Sequence, residues 1–312
     1  MVKIFQSKKG DVKMEGNGGD KRMSYLYCII AMLGWGSMFI AAKLAFTAIS
    51  GLTLLFFRYL IALCVLMVVY RKLPRPQLTP KDKKNILFIG VFGYCFSIAL
   101  QLIGTDLVVA SMASIINTIT PVAIIVFAVL LLKEKSSAQQ VIGIVVTVVG
   151  SVIIVGGAGE GSSVLGIVLN FAGMIFWGLS SVMIRRSCAE LDGVWVTLYG
   201  MFVAMLTSIP FMVAELIREG FAFSDLTPTA VLAILWVGIV PTSAANLSWN
   251  KALERLPAAT CSLFYAFLPM ITAVLGVIVL RESLTLRFIL GSLVIVLGMV
   301  VAVLGERKAK KG

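Results

Sequence analysis

Ten stretches of mostly apolar residues, separated by short polar runs, fill the chain from residue 24 to residue 304. They cover 24–46, 53–70, 86–104, 108–132, 138–156, 164–185, 194–217, 229–249, 257–280 and 286–304. An α-helix crosses about 30 Å of hydrocarbon in roughly 20 residues, which is the length these stretches approach. The pattern therefore predicts ten transmembrane helices in an all-α integral membrane protein. Several links, such as Lys133–Ser137 and Arg281–Thr285, leave room only for a tight helical hairpin.

The pattern is also written twice. Shifted forward by 148 positions without a gap, the segment Ile86–Gly157 places Gly90 on Gly238, Ala110 on Ala258, Ser114 on Ser262 and Pro121 on Pro269. In the same frame Glu134 meets Glu282, Gly143 meets Gly291, and Gly150 meets Gly298. Upstream the shift is 142: Trp35 meets Trp177, Gly36 meets Gly178, Lys43 meets Arg185, and Gly51 meets Gly193. The six extra residues fall in the polar stretch Glu215–Pro228. The expected organisation is a cytoplasmic tail (1–23), a first five-helix repeat (24–157), a second (164–305) and a short cytoplasmic tail (306–312). An odd number of helices per repeat makes the second copy enter the membrane from the opposite face. Inverted repeats of this kind suit alternating access around a site near the membrane midplane.

Composition sharpens the class. Hydrophobic residues make up 59% of the chain and charged residues 13%, with a mean hydropathy of +1.00; soluble domains carry about 25% charged residues. With both termini inside, 22 Lys and Arg residues fall on cytoplasmic tails and loops and four on the outer side. That excess fixes the orientation and accounts for the net charge of +12 without a nucleic-acid partner. The five cysteines lie in or beside apolar stretches without paired spacing, which points to structural thiols. The chain has no histidine, which removes Ser-His and Cys-His nucleophile pairs and most zinc chemistry. No nucleotide-binding loop is present, no cofactor is called for, and an enzyme is not expected. All fifteen acidic residues lie in tails, loops or terminal turns, against an acid-based proton relay at mid-span.

Certain short runs carry a family resemblance. They are Gly34–Ser37, Phe57–Leu60, the small-residue run Ala110–Ser114 with Pro121 after it, and Leu131–Lys135 with Gly143 nine residues beyond Glu134. Leu280–Gly291 repeats the last of these. Together they resemble the EamA family of the drug/metabolite transporter superfamily over about residues 24–305. The resemblance implies a secondary transporter that exports small organic metabolites, such as amino acids or toxic organic compounds. The alternatives are a carrier of sugar- or nucleotide-linked anions, or a non-transport membrane sensor or lipid-scrambling protein. The partners expected are a small-molecule substrate and the lipid bilayer, for a monomer or a homodimer.

Polar residues inside spans are costly to bury unpaired and tend to face the bundle interior or a water-filled path. The candidate substrate-binding residues are Trp35, Ser37, Arg58, Tyr94, Gln101, Asn117, Thr120, Trp177, Asn246, Trp249 and Tyr265. Trp35 and Trp177 are repeat-equivalent, and an indole ring beside a glycine can line a cavity or simply pack a neighbouring helix. Asn117 and Tyr265 are also equivalent, each four residues before a proline. Pro121 and Pro269 should each free the carbonyl four residues earlier in a continuous helix. Arg58 is the formal charge well inside a span, either snorkelling outward, bonding a carbonyl or meeting a substrate carboxylate. Its repeat counterpart is Gly200, so the charge is asymmetric. Glu134 and Glu282 are expected to close hairpins. Gly143 with Gly150, and Gly291 with Gly298, are expected to form a close helix seam within the protomer or in a dimer.

Overall fold

In a computed structural model, the residues described are 18–117, 119–132, 138–155, 163–220, 225–256, 261, 263–281 and 286–309. The expected hairpin residues Glu134 and Glu282 lie outside them. Helices α1 (Gly18–Ala45), α2 (Gly51–Tyr70) and α3 (Pro80–Asp106) come first. Helix α4 has two pieces, Ala110–Asn117 and Thr120–Leu132, and α5 is Ala138–Val155. The second half supplies α6 (Val164–Cys188), α7 (Gly193–Glu219), α8 (Pro228–Arg255), α9 (Phe267–Leu280) and α10 (Leu286–Ala309). Among the described residues, seven helices (α1 to α4 and α6 to α8) are long and apolar enough to cross a membrane. The apolar stretches found in α9 and α10 are shorter, Phe267–Leu280 and Ile289–Gly298.

Local chemistry explains where the helices start. Thr79 caps α3 in a reciprocal box with Asp82, and Pro80 occupies the first turn, where no amide hydrogen is needed. Thr227 caps α8 one way only, accepting from the Ala230 amide, with Pro228 next. These Thr-Pro pairs are 148 residues apart. Helix α2 starts at Ser50 without a side-chain cap of its own. Its free amides are met from α7, where the buried Glu215 carboxylate accepts from Leu52 N (3.3 Å), Thr53 N (2.7 Å) and Thr53 Oγ1 (3.0 Å). A carboxylate at a helix N-terminus meets both the orphan amides and the positive end of the dipole.

The main helix contacts recur when the halves are exchanged. Helix α6 packs on α3 and α4, and its counterpart α1 packs on α8 and α9. Helices α2 and α7, α4 and α9, and α5 and α10 meet their own counterparts. The direction of each half follows from side-chain contacts. Lys43 Nζ donates to the Asp106 carbonyl at 2.8 Å, so α1 and α3 end on the same side. Gly93 lies against Ser180, while Gly173 lies against the Ser97 carbonyl and Gly104 against that of Gly166, so α6 runs antiparallel to α3. Helix α6 is therefore antiparallel to its counterpart α1.

The closest seam is α5 against α10. A Cβ built on Gly298 would lie 2.5 Å from the Thr147 amide nitrogen and 2.8 Å from the Gly143 carbonyl oxygen. One built on Gly150 would lie 3.0 Å from the Gly291 carbonyl oxygen. The four glycines thus face one another within the protomer, and backbone rather than side chain sets the separation. Replacing Gly298 with Leu is expected to force the helices apart at a cost of about 1–3 kcal/mol. Thermal unfolding in detergent should show a clear drop in Tm, while Leu293→Ala, on the exposed side of α10, should stay within about 0.5 kcal/mol.

Candidate functional site

Both halves depart from regular α-helix at matched points. Helix α3 widens to a π-helix over Ile89–Phe96 and α8 over Gly238–Ala245. The two segments are offset by 148 at Gly90 and Gly238, and π segments are enriched at functional sites. Helix α4 turns at Ile119 before resuming, and α9 follows a 3-10 turn at Leu263–Ala266. Pro121 and Pro269 therefore each stand in the first turn of a helix that begins anew, rather than kinking a continuous one. In that position the missing amide hydrogen costs nothing. The Asn117 side chain donates to the Ala113 carbonyl at 3.0 Å, so it closes the end of its own short helix.

Residues just after the two π segments (Ile98, Gln101 and Asn246) and at the two restarts (Asn117, Tyr265 and Leu268) help line a central cavity. Its polar lining is Arg58, Gln101, Asn117 and Asn246, and its apolar lining includes Trp35, Trp177 and Tyr265. Met38, Phe39, Ile98 and Leu268 complete the wall. The centre of a water molecule can range over about 40 Å³ there, room for roughly three waters. The cavity is thus nearly closed in this conformation.

Aromatic rings do the closing. Trp35 stands edge-on to Trp177 with centroids 5.8 Å apart, tilted against Trp249 at 5.3 Å and against Tyr265 at 5.8 Å. Trp249 and Tyr265 are perpendicular at 5.3 Å. Trp177 Nε1 donates to the Tyr265 hydroxyl at 2.9 Å, tying α6 to the 3-10 turn before α9. Edge-to-face pairs in this range each add about 0.5–1.5 kcal/mol beyond burial.

Arg58 is 1% exposed. Its Nε donates to Thr242 Oγ1 at 2.7 Å, on the π segment of α8. That hydroxyl in turn donates to the Val237 carbonyl at 2.6 Å. The guanidinium carbon lies 5.6 Å from the Tyr59 ring centroid. Nη1 is buried without a hydrogen-bond partner, and no carboxylate among the described residues forms an ion pair with Arg58.

Of the eleven sequence candidates, the structure places seven at the cavity: Trp35, Arg58, Gln101, Asn117, Trp177, Asn246 and Tyr265. Four stand elsewhere. Trp249 is fully buried behind Trp35. Tyr94 accepts from Asn250 Nδ2 at 3.0 Å. Thr120 is buried with an unpartnered hydroxyl. Ser37 donates to the Gly34 carbonyl and accepts from Trp236 Nε1, at 2.8 and 2.9 Å, toward the bundle surface. Met38, Phe39, Ile98 and Leu268 were missed as lining residues. Helical spacing could have found them, because each lies three or four residues from Trp35, Gln101 or Tyr265 on the same face. Thr242, four residues before Asn246 in the same span, was open to the same spacing argument.

With this geometry described, similarity to known proteins can be placed on it. The model of the EamA-like transporter family matches residues 22–156 and again 164–304. The chain belongs to the EamA-like transporter family. A protein of Archaeoglobus fulgidus, named an uncharacterized transporter, is 23% identical over 271 residues, covering 86% of this chain and 94% of its own. The Bacillus subtilis protein YetK, named likewise, is 26% identical over 295 residues, covering 91% and 88%. One crystal structure at 21% identity superposes with a TM-score of 0.67 over 91% of this chain and 98% of its own, and it speaks to the fold alone. Membership of the EamA-like family, together with the apolar helices, makes this a multi-pass membrane transporter.

Tyr265→Phe removes the acceptor of a buried indole N–H. The expected loss of stability is about 1–3 kcal/mol, measured by thermal unfolding in detergent. Tryptophan emission should change with it, since Trp35, Trp177 and Trp249 all stand against this ring or its neighbour.

Proposed function

We propose that this protein is a secondary transporter that exports small organic metabolites, such as amino acids or toxic organic compounds, by alternating access. In this reading ten helices span the inner membrane as two inverted five-helix repeats, with both termini in the cytoplasm. One observation carries it. The cavity is lined by repeat-equivalent pairs, Trp35 with Trp177, Ile98 with Asn246, and Asn117 with Tyr265, so it straddles the relation between the halves. A site there can open to one face when one half adopts a given conformation, and to the other face when the halves exchange roles. A scaffold has no use for such a site. No Asp or Glu lines the cavity among the described residues. Proton coupling through a central carboxylate is therefore not part of the proposal.

The metabolite profile of spent medium tests export. Cells expressing the protein are compared with cells expressing a Trp35→Ala, Asn117→Ala double variant, with equal membrane levels of each. The expected result is a small metabolite enriched outside only with the intact protein. Identical profiles would refute export through this cavity.

Orientation is checked separately. In intact cells an impermeant thiol reagent should label Gly220→Cys, after α7, and leave Lys72→Cys, after α2, unlabelled. Labelling of both, or of position 72 alone, would overturn the proposed topology.

A further inference from the structure

Alternating access, on which this inference rests, requires one face of the bundle to part while the other stays shut. The packing shows which helices would part. Helix α1 packs on α8 and α9, and α6 packs on α3 and α4, so the bundle holds two groups. The cavity lies between them. Trp35, Asn246 and Tyr265 line it from the first group, and Gln101, Asn117 and Trp177 from the second. Opening one face therefore separates the two groups at that face.

At the cytoplasmic face of the proposed topology the groups are joined by charge. The link from α6 to α7 continues the second group, and Lys81 at the start of α3 steadies it by pairing with Glu190 at 2.5 Å. Opposite the link stands the last turn of α8. Lys251 Nζ donates to Asp192 Oδ1 of the link at 2.8 Å, and to the two Glu254 oxygens at 3.2 and 3.3 Å. Glu254 in turn accepts from the Gly193 amide at the start of α7, and Asp192 accepts from the Val194 amide at 2.8 Å. The Lys251 and Glu254 side chains are 19% and 15% exposed, with Asp192 half exposed at the rim. The cluster is thus better shielded from water than an ordinary surface ion pair.

The duplication does not repeat this cluster at the outer face. The counterparts of Asp192, Lys251 and Glu254 are Ser50, Ile103 and Asp106, and those of Glu190 and Lys81 are Ala48 and Thr229. There the start of α2 meets the end of α3 by packing, and a Cβ on Gly51 would lie 3.5 Å from the Leu102 Cβ. The groups also meet there through Lys43 Nζ on the Asp106 carbonyl, an exposed bond to a neutral acceptor. Parting the cytoplasmic face thus breaks the Asp192–Lys251 pair, for which the outer face holds no counterpart.

We propose that Asp192, Lys251 and Glu254 act as an ionic clamp on the cytoplasmic gate, so that salt regulates how often the cavity opens inward. Inward opening draws α8 away from the α6–α7 link and breaks the Asp192–Lys251 pair. It also takes the Glu254 carboxylate off the start of α7, where that charge meets the positive end of the helix dipole. Outward opening leaves these bonds in place. The clamp therefore holds the bundle away from the inward-facing state, and screening by dissolved ions releases it.

Membrane vesicles of both orientations carrying Ile98→Cys, a cavity-wall position, test this with an impermeant methanethiosulfonate reagent, read at residue 98 by mass spectrometry. The quantity measured is the labelling rate from the cytoplasmic face divided by that from the outer face, which cancels salt effects on the reagent. Raising KCl from about 0.01 M to about 1 M at equal osmolarity shortens the screening length from about 30 Å to about 3 Å, and the ratio should rise about threefold. In Asp192→Asn with Glu254→Gln the ratio should already be high at low salt and should no longer respond to salt. Asparagine still caps α7, and glutamine can still accept from Gly193, so a role limited to folding would leave the ratio unmoved. A ratio that ignores both salt and the double variant, with residue 98 labelled from each face, would overturn the clamp and leave alternating access standing. Labelling from one face under every condition would overturn both. If the double variant does not reach the membrane, the salt series on the unaltered clamp decides alone: a rise supports the clamp and a flat ratio overturns it.

Discussion

Hydrocarbon offers no hydrogen bond to a peptide group, so a chain crossing it must close its backbone bonds internally. That constraint makes the molecule a set of helices, and it also gives meaning to the places where helices are irregular. The π segments at Ile89–Phe96 and Gly238–Ala245, and the restarts before Pro121 and Pro269, fall at matched positions of the two halves. Each lies next to residues that line the central cavity, among them Ile98, Asn117, Asn246 and Tyr265. Their freed groups find side-chain partners: Thr242 bonds the Val237 carbonyl five residues back, and Asn246 bonds those of Pro241 and Thr242.

The helices come close enough to share these groups because small residues line their contacts. Gly173 of α6 lies against the Ser97 carbonyl of α3, and Ser97 Oγ reaches back to the Gly173 carbonyl. Across the other half of the relation, Gly36 of α1 lies against Ile271 of α9, and Thr272 Oγ1 donates to the Gly36 carbonyl at 2.8 Å. Where lipid supplies no hydrophobic drive between helices, such close van der Waals contact and interhelical hydrogen bonding hold the bundle together. Aromatic rings then fill the centre, where the glycines leave room.

Much of this was legible in the sequence, and for physical reasons. Ungapped matches such as Pro121 on Pro269 and Gly150 on Gly298 record backbone requirements, and backbone requirements survive duplication better than side-chain packing does. The same offset contained the recurring Thr-Pro caps of α3 and α8, a signal present but unused. The π segments were not legible, because their residues differ between copies (Gly93 opposite Pro241) and no periodicity marks a widened turn. The proline reading needed adjustment for a related reason: a proline can kink a helix or begin one, and only the preceding residues decide. Among site residues, polarity inside a span found Arg58, Asn117 and Asn246. It also gathered Thr120 and Ser37, whose hydroxyls can be accommodated locally, and it passed over the aliphatic wall.

The relation between the halves also sorts contacts by what they can control. The α5–α10 and α2–α7 contacts map onto themselves when the halves trade places. As helix pairs they stand in the same relation to both faces of the membrane, and only residues that differ between the copies, such as Glu215 of α7 at the start of α2, can favour one state. The bond from Trp177 to Tyr265 is of another kind. Its image would be a bond from the Trp35 indole to the Asn117 amide oxygen, and no such bond forms among the described residues. One arrangement of the bundle thus holds a latch that its mirror lacks. The resting preference of the molecule for one face is written in such mismatched pairs.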